Sequence, residues 1–175
     1  MGKFSEGLLN EKIILANLDI CAGQTILDAG CGNGYMAKKF SELVGNTGKI
    51  YALDPDNQSI ANLKKEVEKT NIEAFVGDIT KPTRLKPASI DLAYLSTVFH
   101  IFSESQIGGF VTEIKRILKP NARLAIVNIK KGDTAFGPPV EMRSSPEELR
   151  QKVSLLPKML IEVNEYFYMQ LFENS

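Results

Sequence analysis

Residues Ile26 to Ala37 read ILDAGCGNGYMA: an apolar run closed by Asp28, then Gly30, Gly32 and Gly34 at alternate positions, then the start of a helix. Glycine has no Cβ and enters positive φ readily, so a ligand can approach the main chain almost to contact. The helix start behind the glycines offers unpaired N–H groups and a partial positive end worth about 0.3–1 kcal/mol to an anion. Asp28 places a negative charge beside Gly30, where a pyrophosphate would have to come, and that charge suits an ammonium. The dinucleotide fingerprint GxGxxG is also absent, because the spacing is GxGxG and position 35 is Tyr. A ligand carrying an ammonium and a carboxylate together fits, and S-adenosylmethionine has both at its methionine end. The competing reading is an ordinary strand, turn and helix with glycines for tight turning.

Lys49 to Leu53 (KIYAL) is a β-rich run followed by Asp54, 20 residues beyond Gly34, the interval at which an acid after a second strand binds ribose hydroxyls. Ile72 to Val76 is another strand, broken at Gly77 and closed by Asp78, whose carboxylate can accept from an adenine amino group. Three acids thus close three consecutive predicted strands. In a parallel sheet those ends share the edge where open α/β folds bind ligands. Taken singly, each acid reads equally well as a helix cap or turn residue. Each sits beside a different part of one extended ligand, so the three are assigned to binding and not to acid–base work.

Alternating elements must hold this edge in place, and the chain supplies them. Leu8 to Ile20 carries apolar residues at 8, 9, 13, 14, 15 and 18, a helical period, and Gly23 opens the first strand. A helix is predicted from about Asn33 to Val44, with Tyr35, Met36, Phe40 and Leu43 on its apolar side and Gly45 as its stop. Asp56 can cap a helix whose buried stripe is Ile60, Leu63 and Val67. After a loop with Pro82 and Pro87, Ile90 to Leu95 is apolar enough for a central strand. Ser103 or Ser105 starts a helix through Leu118, weakened in its middle by Gly108 and Gly109 at about 1 kcal/mol each. Lys119, Pro120 and Asn121 stop it, and Ala122 to Ile129 is strand five. Repeated βα winding gives a mostly parallel sheet. Ser145, Pro146, Glu147 and Glu148 then start a short helix. Lys158 to Val163 and Tyr166 to Phe172 are strand-like runs with only Asn164 and Glu165 between them, which forces a hairpin with one antiparallel strand.

A chain of 175 residues suits one domain. Its 21 basic and 21 acidic residues cancel, and no basic run marks a nucleic-acid footprint. No apolar run approaches the ~20 residues of a membrane span, and Met1 to Asn10 has no signal-peptide character, so a cytoplasmic protein is expected. Cys21 and Cys31 suggest neither a zinc site nor a disulfide framework. Cys31 reads either as a reactive thiol or as a small residue filling a tight turn.

The segments LDAGCGNG, YALDPD, FVGDIT, IDLAYLSTVFHIF and LKPNARLAIVNI, in that order, resemble class I S-adenosylmethionine-dependent methyltransferases over nearly the whole chain. Within that class the chain is most similar to small enzymes of ubiquinone and menaquinone biosynthesis. The resemblance implies an α/β, Rossmann-like three-layer sandwich in one domain over residues 1–175, with a mostly parallel seven-stranded sheet and a C-terminal antiparallel hairpin. It implies Gly30, Gly32 and Gly34 around the methionine part of the cofactor, Asp54 on the ribose, and Asp78 with the Ile79 backbone on the adenine. Asn33 and Pro55 belong to the same motifs, and Ser96 is implied as a cofactor-edge contact.

The implied reaction is an in-line displacement at the sulfonium methyl, leaving S-adenosylhomocysteine, with positioning and exclusion of water supplying most of the acceleration. His100 is the candidate base, since it follows strand four within TVFHIF and has an ordinary pKa of about 6.5. Its competing reading is a histidine making one local hydrogen bond. No carboxylate stands at residues 95 to 99, so no metal dependence is expected. The N-terminal stretch over residues 1–22, with Phe4 and Leu8, and the fifteen-residue loop Lys130 to Ser144 are expected to shape the acceptor pocket. Phe136, Gly137, Pro138 and Pro139 read either as an apolar wall or as a stiffened connection. The expected partner is a small-molecule acceptor, not nucleic acid or membrane, and the short chain either leaves its pocket open or completes it as a homodimer. Two other classes stay in view: an NAD-binding oxidoreductase, disfavoured by Asp28 and the GxGxG spacing, and a non-catalytic domain that binds the same cofactor.

Overall fold

The strands that build the ligand-binding edge are short apolar runs buried on both faces, as parallel strands covered by helices must be. The computed structural model describes residues 7–175. Its strands are β1 (Thr25–Ala29), β2 (Lys49–Asp54), β3 (Ile72–Val76), β4 (Ile90–Ser96), β5 (Leu118–Ile129), β6 (Leu156–Glu162) and β7 (Phe167–Glu173). They form one seven-stranded sheet in the order β3-β2-β1-β4-β5-β7-β6. The first five are parallel to one another, and β7 runs antiparallel to both β5 and β6. This is the Rossmann-like sheet with a C-terminal antiparallel hairpin that the resemblance implies.

The helices are α1 (Glu11–Asn17), α2 (Tyr35–Val44), α3 (Asn57–Glu66), α4 (Glu104–Ile117) and α5 (Pro146–Lys152). Ile14 of α1, Phe40 of α2 and Leu63 of α3 share one core with Ile26, Leu92 and Tyr94 of the sheet. Phe110 and Ile114 of α4 and Leu149 of α5 close a second core with Leu27, Leu95 and Ile126. Strands β1 to β5 and β7 thus send residues into both cores, while β6 adds only Ile161, and the layers are helix, sheet, helix.

Local chemistry sets the helix ends. Asp56 accepts from Ser59 N–H to cap α3, while Ser103–Gln106 and Ser145–Glu148 form reciprocal capping boxes on α4 and α5. Gly45, at φ 66°, ends α2. Several boundaries differ from the sequence reading. Gly34 is left-handed at φ 80°, so α2 opens at Tyr35 instead of Asn33. Asp19, at φ 49°, turns the chain soon after α1, which is much shorter than Leu8 to Ile20. Strand β5 begins directly after α4, and a register shift between Ile90 and Leu92 absorbs Lys119 to Asn121. The Asn174 amide donates to the Lys115, Leu118 and Lys119 carbonyls, meeting acceptors that the end of α4 leaves open.

The two glycines of α4 have opposite meanings. A Cβ on Gly109 would stand 2.0 Å from the Thr80 carbonyl oxygen, whereas one on Gly108 would meet nothing within 4 Å. Gly109 is therefore where α4 crosses the loop after β3 at backbone contact. Gly108→Ala is expected to stabilise the fold by about 1 kcal/mol through helix propensity. Gly109→Ala is expected to destabilise it by about 1–3 kcal/mol or more through overpacking. Urea unfolding of the two variants reads the difference in sign.

Candidate functional site

Parallel pairing of β1 with β2, and of β2 with β3, brings three neighbouring carboxyl ends together. Asp28 is the penultimate residue of β1, Asp54 is the last of β2, and Asp78 lies just beyond β3. The three acids therefore occupy one continuous stretch of sheet edge. Gly30, Gly32 and Gly34 leave β1 at φ 70°, 55° and 80°, a run of left-handed backbone that only glycine sustains cheaply. Added side chains have no room there, since a Cβ on Gly30 would lie 2.9 Å from Val98 Cγ2 and one on Gly34 2.5 Å from Leu63 Cδ1.

The loop is pinned from β2. The N–H groups of Gly30 and Cys31 donate to the Leu53 carbonyl at 2.7 and 3.0 Å, and Gly32 N–H donates to Asp54 Oδ2 at 2.9 Å. The other Asp54 oxygen accepts from Asp56 N–H at 2.9 Å. Asp54 thus braces the glycine loop, a duty its spacing did not reveal. Asn33 Oδ1 accepts from Tyr35 N–H at 3.1 Å at the entrance to α2, and Pro55 is exposed on the turn after β2. Cys31 is buried in the core beneath the loop, as a turn-filling residue would be.

Asp78 Oδ1 accepts from both the N–H and the hydroxyl of Thr80, at 2.9 and 2.6 Å. Burial pushes this carboxyl up, but the Thr80 hydrogen bonds and the Lys81 charge outweigh it and hold the group below the usual carboxylate range. The Ile79 side chain is in the core. Ser96 ends β4 and is buried. Thr97 beside it is held at φ 56°, a costly conformation for a β-branched residue, of a kind that clusters at functional sites. Its N–H donates to the Val127 carbonyl at 2.8 Å, which fixes the chain as it leaves the sheet.

His100 sits half-buried in a short 3₁₀ turn, Phe99–Ile101, beyond β4. Burial and the Arg143 charge push its imidazole below its ordinary pKa, so it is neutral at neutral pH. Arg143 had no signal in the sequence and proves central. Its guanidinium is buried and spends all five N–H donors inside the loop Lys130 to Ser144. Nε donates to the Pro138 carbonyl, Nη1 to the Lys130 and Gly132 carbonyls, and Nη2 to Thr134 Oγ1 and the Phe136 carbonyl. Phe136 itself packs on Tyr166 and Phe167, with ring centroids 5.0 and 6.5 Å away. Phe136 thereby anchors the loop to Tyr166 and to Phe167 of β7.

Two buried polar side chains at this end of the sheet also escaped the sequence reading, because each looks like an ordinary strand residue. Tyr94 of β4 lies beside Asp28 in the β1–β4 register, and its hydroxyl meets no partner in hydrogen-bonding geometry. Asn128, at the end of β5, donates through Nδ2 to the Tyr168 hydroxyl at 3.3 Å, and that hydroxyl donates to the Ser144 carbonyl at 2.7 Å. The relay ties the sheet to the end of the Arg143 loop. Leu8 lies within the described residues, and its carbonyl accepts from the Asn164 amide; Phe4 lies outside them. Among the described residues no helix is long and apolar enough to cross a membrane.

A three-layer sheet with a glycine cradle and three strand-end acids on its carboxyl edge defines a Rossmann-like protein built for a nucleoside cofactor with an amino-acid end. The chain belongs to the methyltransferase domain family, whose model matches residues 26–121, more than half of its length. A probable cobalt-precorrin-6B C(15)-methyltransferase (decarboxylating) from Saccharolobus solfataricus is 32% identical over 120 residues, covering 66% of this chain and 53% of that protein. A protein-L-isoaspartate O-methyltransferase from Methanococcus maripaludis is 34% identical over 87 residues, covering 48% of this chain and 41% of that protein. The chain spans about half the length of these relatives. The crystal structure of a SAM dependent methyltransferase from Aquifex aeolicus matches with a TM-score of 0.87 at 27% identity, covering 99% of this chain and 94% of that one. Family and fold together imply S-adenosylmethionine as the cofactor. The cradle suits it, because the backbone after β1 is bare at Gly30, Gly32 and Gly34 and three carboxylates line the adjoining sheet edge.

Proposed function

We propose that the chain transfers the methyl group of S-adenosylmethionine to a small-molecule acceptor, as one methyltransferase unit over residues 1–175. The observation that carries this reading is the run of three left-handed glycines between Asp28 and the Asp54 brace. When bound, the cofactor supplies an electrophilic methyl carbon on a sulfonium. Gly30, Gly32, Asn33 and Gly34 admit its methionine part, with Asp28 beside the ammonium. Asp54 and Pro55 face the ribose, Asp78 and the Ile79 main chain the adenine, and Ser96 the edge nearest the transferred methyl. An anionic dinucleotide meets repulsion from Asp28, which is why the oxidoreductase reading is not favoured. The balanced charge of 21 basic and 21 acidic residues supports a small acceptor over nucleic acid.

The chain's contribution to rate is orientation and exclusion of water, with the proton of the acceptor passing to a His100 ring nitrogen. Because its imidazole is pushed down, His100 stays unprotonated to lower pH than a free histidine, and the acid limb of the activity profile is expected below that of an ordinary imidazole. His100→Ala is expected to lower kcat by about 10²–10⁴-fold with little change in cofactor affinity.

Thermal unfolding tests the cofactor assignment. S-adenosylhomocysteine at about 100 times its Kd is expected to add about 2.7 kcal/mol of stability, and NAD none. Stabilisation by NAD alone overturns the proposal. Methyl transfer from labelled cofactor across a panel of phenols, quinols, amines and thiols separates an enzyme from a non-catalytic binding domain.

A further inference from the structure

Strand β4 is buried on nearly its whole length, and an aliphatic residue would fill the place of Tyr94 at no polar cost. The phenol there is 1% exposed, and its ring packs edge-on against Phe40 of α2 with centroids 5.2 Å apart. Phenylalanine would pack the same way. The hydroxyl is what needs explaining, since a buried polar group without a partner is costly and rare.

Its surroundings supply the explanation. Asp28 and Tyr94 are directly paired across β1 and β4, so their side chains leave the sheet on one face, the face covered by α2. Ser96 lies on that same face, two residues nearer the carboxyl edge. Burial pushes the phenol well up, the Ser96 hydroxyl beside it pulls the other way, and the Asp28 charge adds a smaller push upward. The group therefore keeps its proton and has that proton to donate. The carboxylate of Asp28 is the charged acceptor beside it.

We propose that the Tyr94 hydroxyl is a positioning group for Asp28: when the cofactor enters, the phenol donates to one oxygen of the neighbouring carboxylate and leaves the other oxygen for the ammonium of the cofactor. The inference rests on the cofactor reading above. It makes Tyr94 specific for the amino-acid end of the ligand and irrelevant to its nucleoside end.

Binding of two probes to wild type, Tyr94→Phe, Asp28→Asn and the double variant tests this by calorimetry. S-adenosylhomocysteine carries the ammonium, and 5′-methylthioadenosine lacks the amino-acid part while keeping ribose and adenine. Tyr94→Phe is expected to weaken S-adenosylhomocysteine about tenfold and to leave methylthioadenosine unchanged, with the melting temperature of the free protein unchanged or raised. Asp28→Asn is expected to weaken S-adenosylhomocysteine further, with no added loss in the double variant. Equal losses for both probes, no loss for either, additive losses in the double variant, or failure of Tyr94→Phe to fold each overturn the positioning role. Wild type binding neither probe overturns the cofactor reading itself, a result distinct from wild type binding both with Tyr94→Phe unaffected.

Discussion

Arg143→Met is expected to lower the unfolding free energy by about 3–5 kcal/mol, a fall in melting temperature on the order of 10 °C. Methionine preserves much of the volume and removes every donor. The carbonyls of Lys130, Gly132 and Pro138, now served by one buried guanidinium, would lose that donor together, while the Phe136 carbonyl and the Thr134 hydroxyl would keep only the bond between them. An orphaned buried acceptor costs about 1–3 kcal/mol. The sum falls short of one such penalty for each of the three orphaned carbonyls because the loop can open and admit water. Arg143→Lys is expected to recover little, since an ammonium has three donors on a point charge and cannot span acceptors spread around a planar fork. A second consequence is electrostatic. The Arg143 charge helps hold the His100 imidazole down, so its loss lets that pKa rise. In any Arg143 variant that still folds, the acid limb of activity should move toward higher pH. Chemical unfolding and a pH profile read the two effects separately.

The same residue shows why parts of the site were legible and others were not. The glycine loop, the three acids and the capped helix starts obey local rules, in which the meaning of a residue is set by neighbours within four or five positions. Gly30, Gly32, Gly34 and Asp56 could be read because backbone geometry alone demands them. Hairpin strands β6 and β7 were visible from the two residues between their runs, although the antiparallel member could not be chosen until β7 was seen paired with β5. Arg143, Tyr94 and Asn128 draw their significance from partners remote in the chain or from the absence of a partner, and no spacing encodes that. Gly109 is the instructive error. Helix propensity counts it as a weakness, whereas its contact with Thr80 makes it the condition for α4 to lie where it does.

Register also joins the cradle to the rest of the edge. Asp28 faces Tyr94 on β4, Ala29 faces Leu53 on β2, and Thr97 hangs from Val127 on β5. Strain at Thr97 and a bare hydroxyl at Tyr94 both lie at the strand flanking the glycine loop, on the side away from Asp54. Similar costs occur elsewhere, at the left-handed Asp19, Ala88 and Asn121 and the unpartnered Asn128 Oδ1; those at Thr97 and Tyr94 adjoin the cradle. A fold optimised only for stability would have removed both.

Asp54→Ala is expected to weaken S-adenosylhomocysteine at least about 100-fold while changing the stability of the free protein by only about 1 kcal/mol. Two losses combine. Its carboxylate accepts from Gly32 and Asp56 N–H, and without it the central glycine of the cradle is free to leave the left-handed region. The ribose hydroxyls also lose a charged acceptor, and hydrogen bonds to a charged group are worth about 1.5–3 kcal/mol each. The effect on folding stays small because the side chain is partly exposed and water can replace it. Asp54→Asn should be intermediate: one oxygen still receives Gly32 N–H, while the amide nitrogen meets Asp56 N–H donor to donor. Unlike the Tyr94 variant, both Asp54 variants should lose 5′-methylthioadenosine along with S-adenosylhomocysteine, since each probe carries the ribose. Titration calorimetry with the two probes decides it. Wild-type affinity in Asp54→Ala would mean that the carboxylate braces nothing the ligand uses, and the binding edge would have to be sought elsewhere on the sheet.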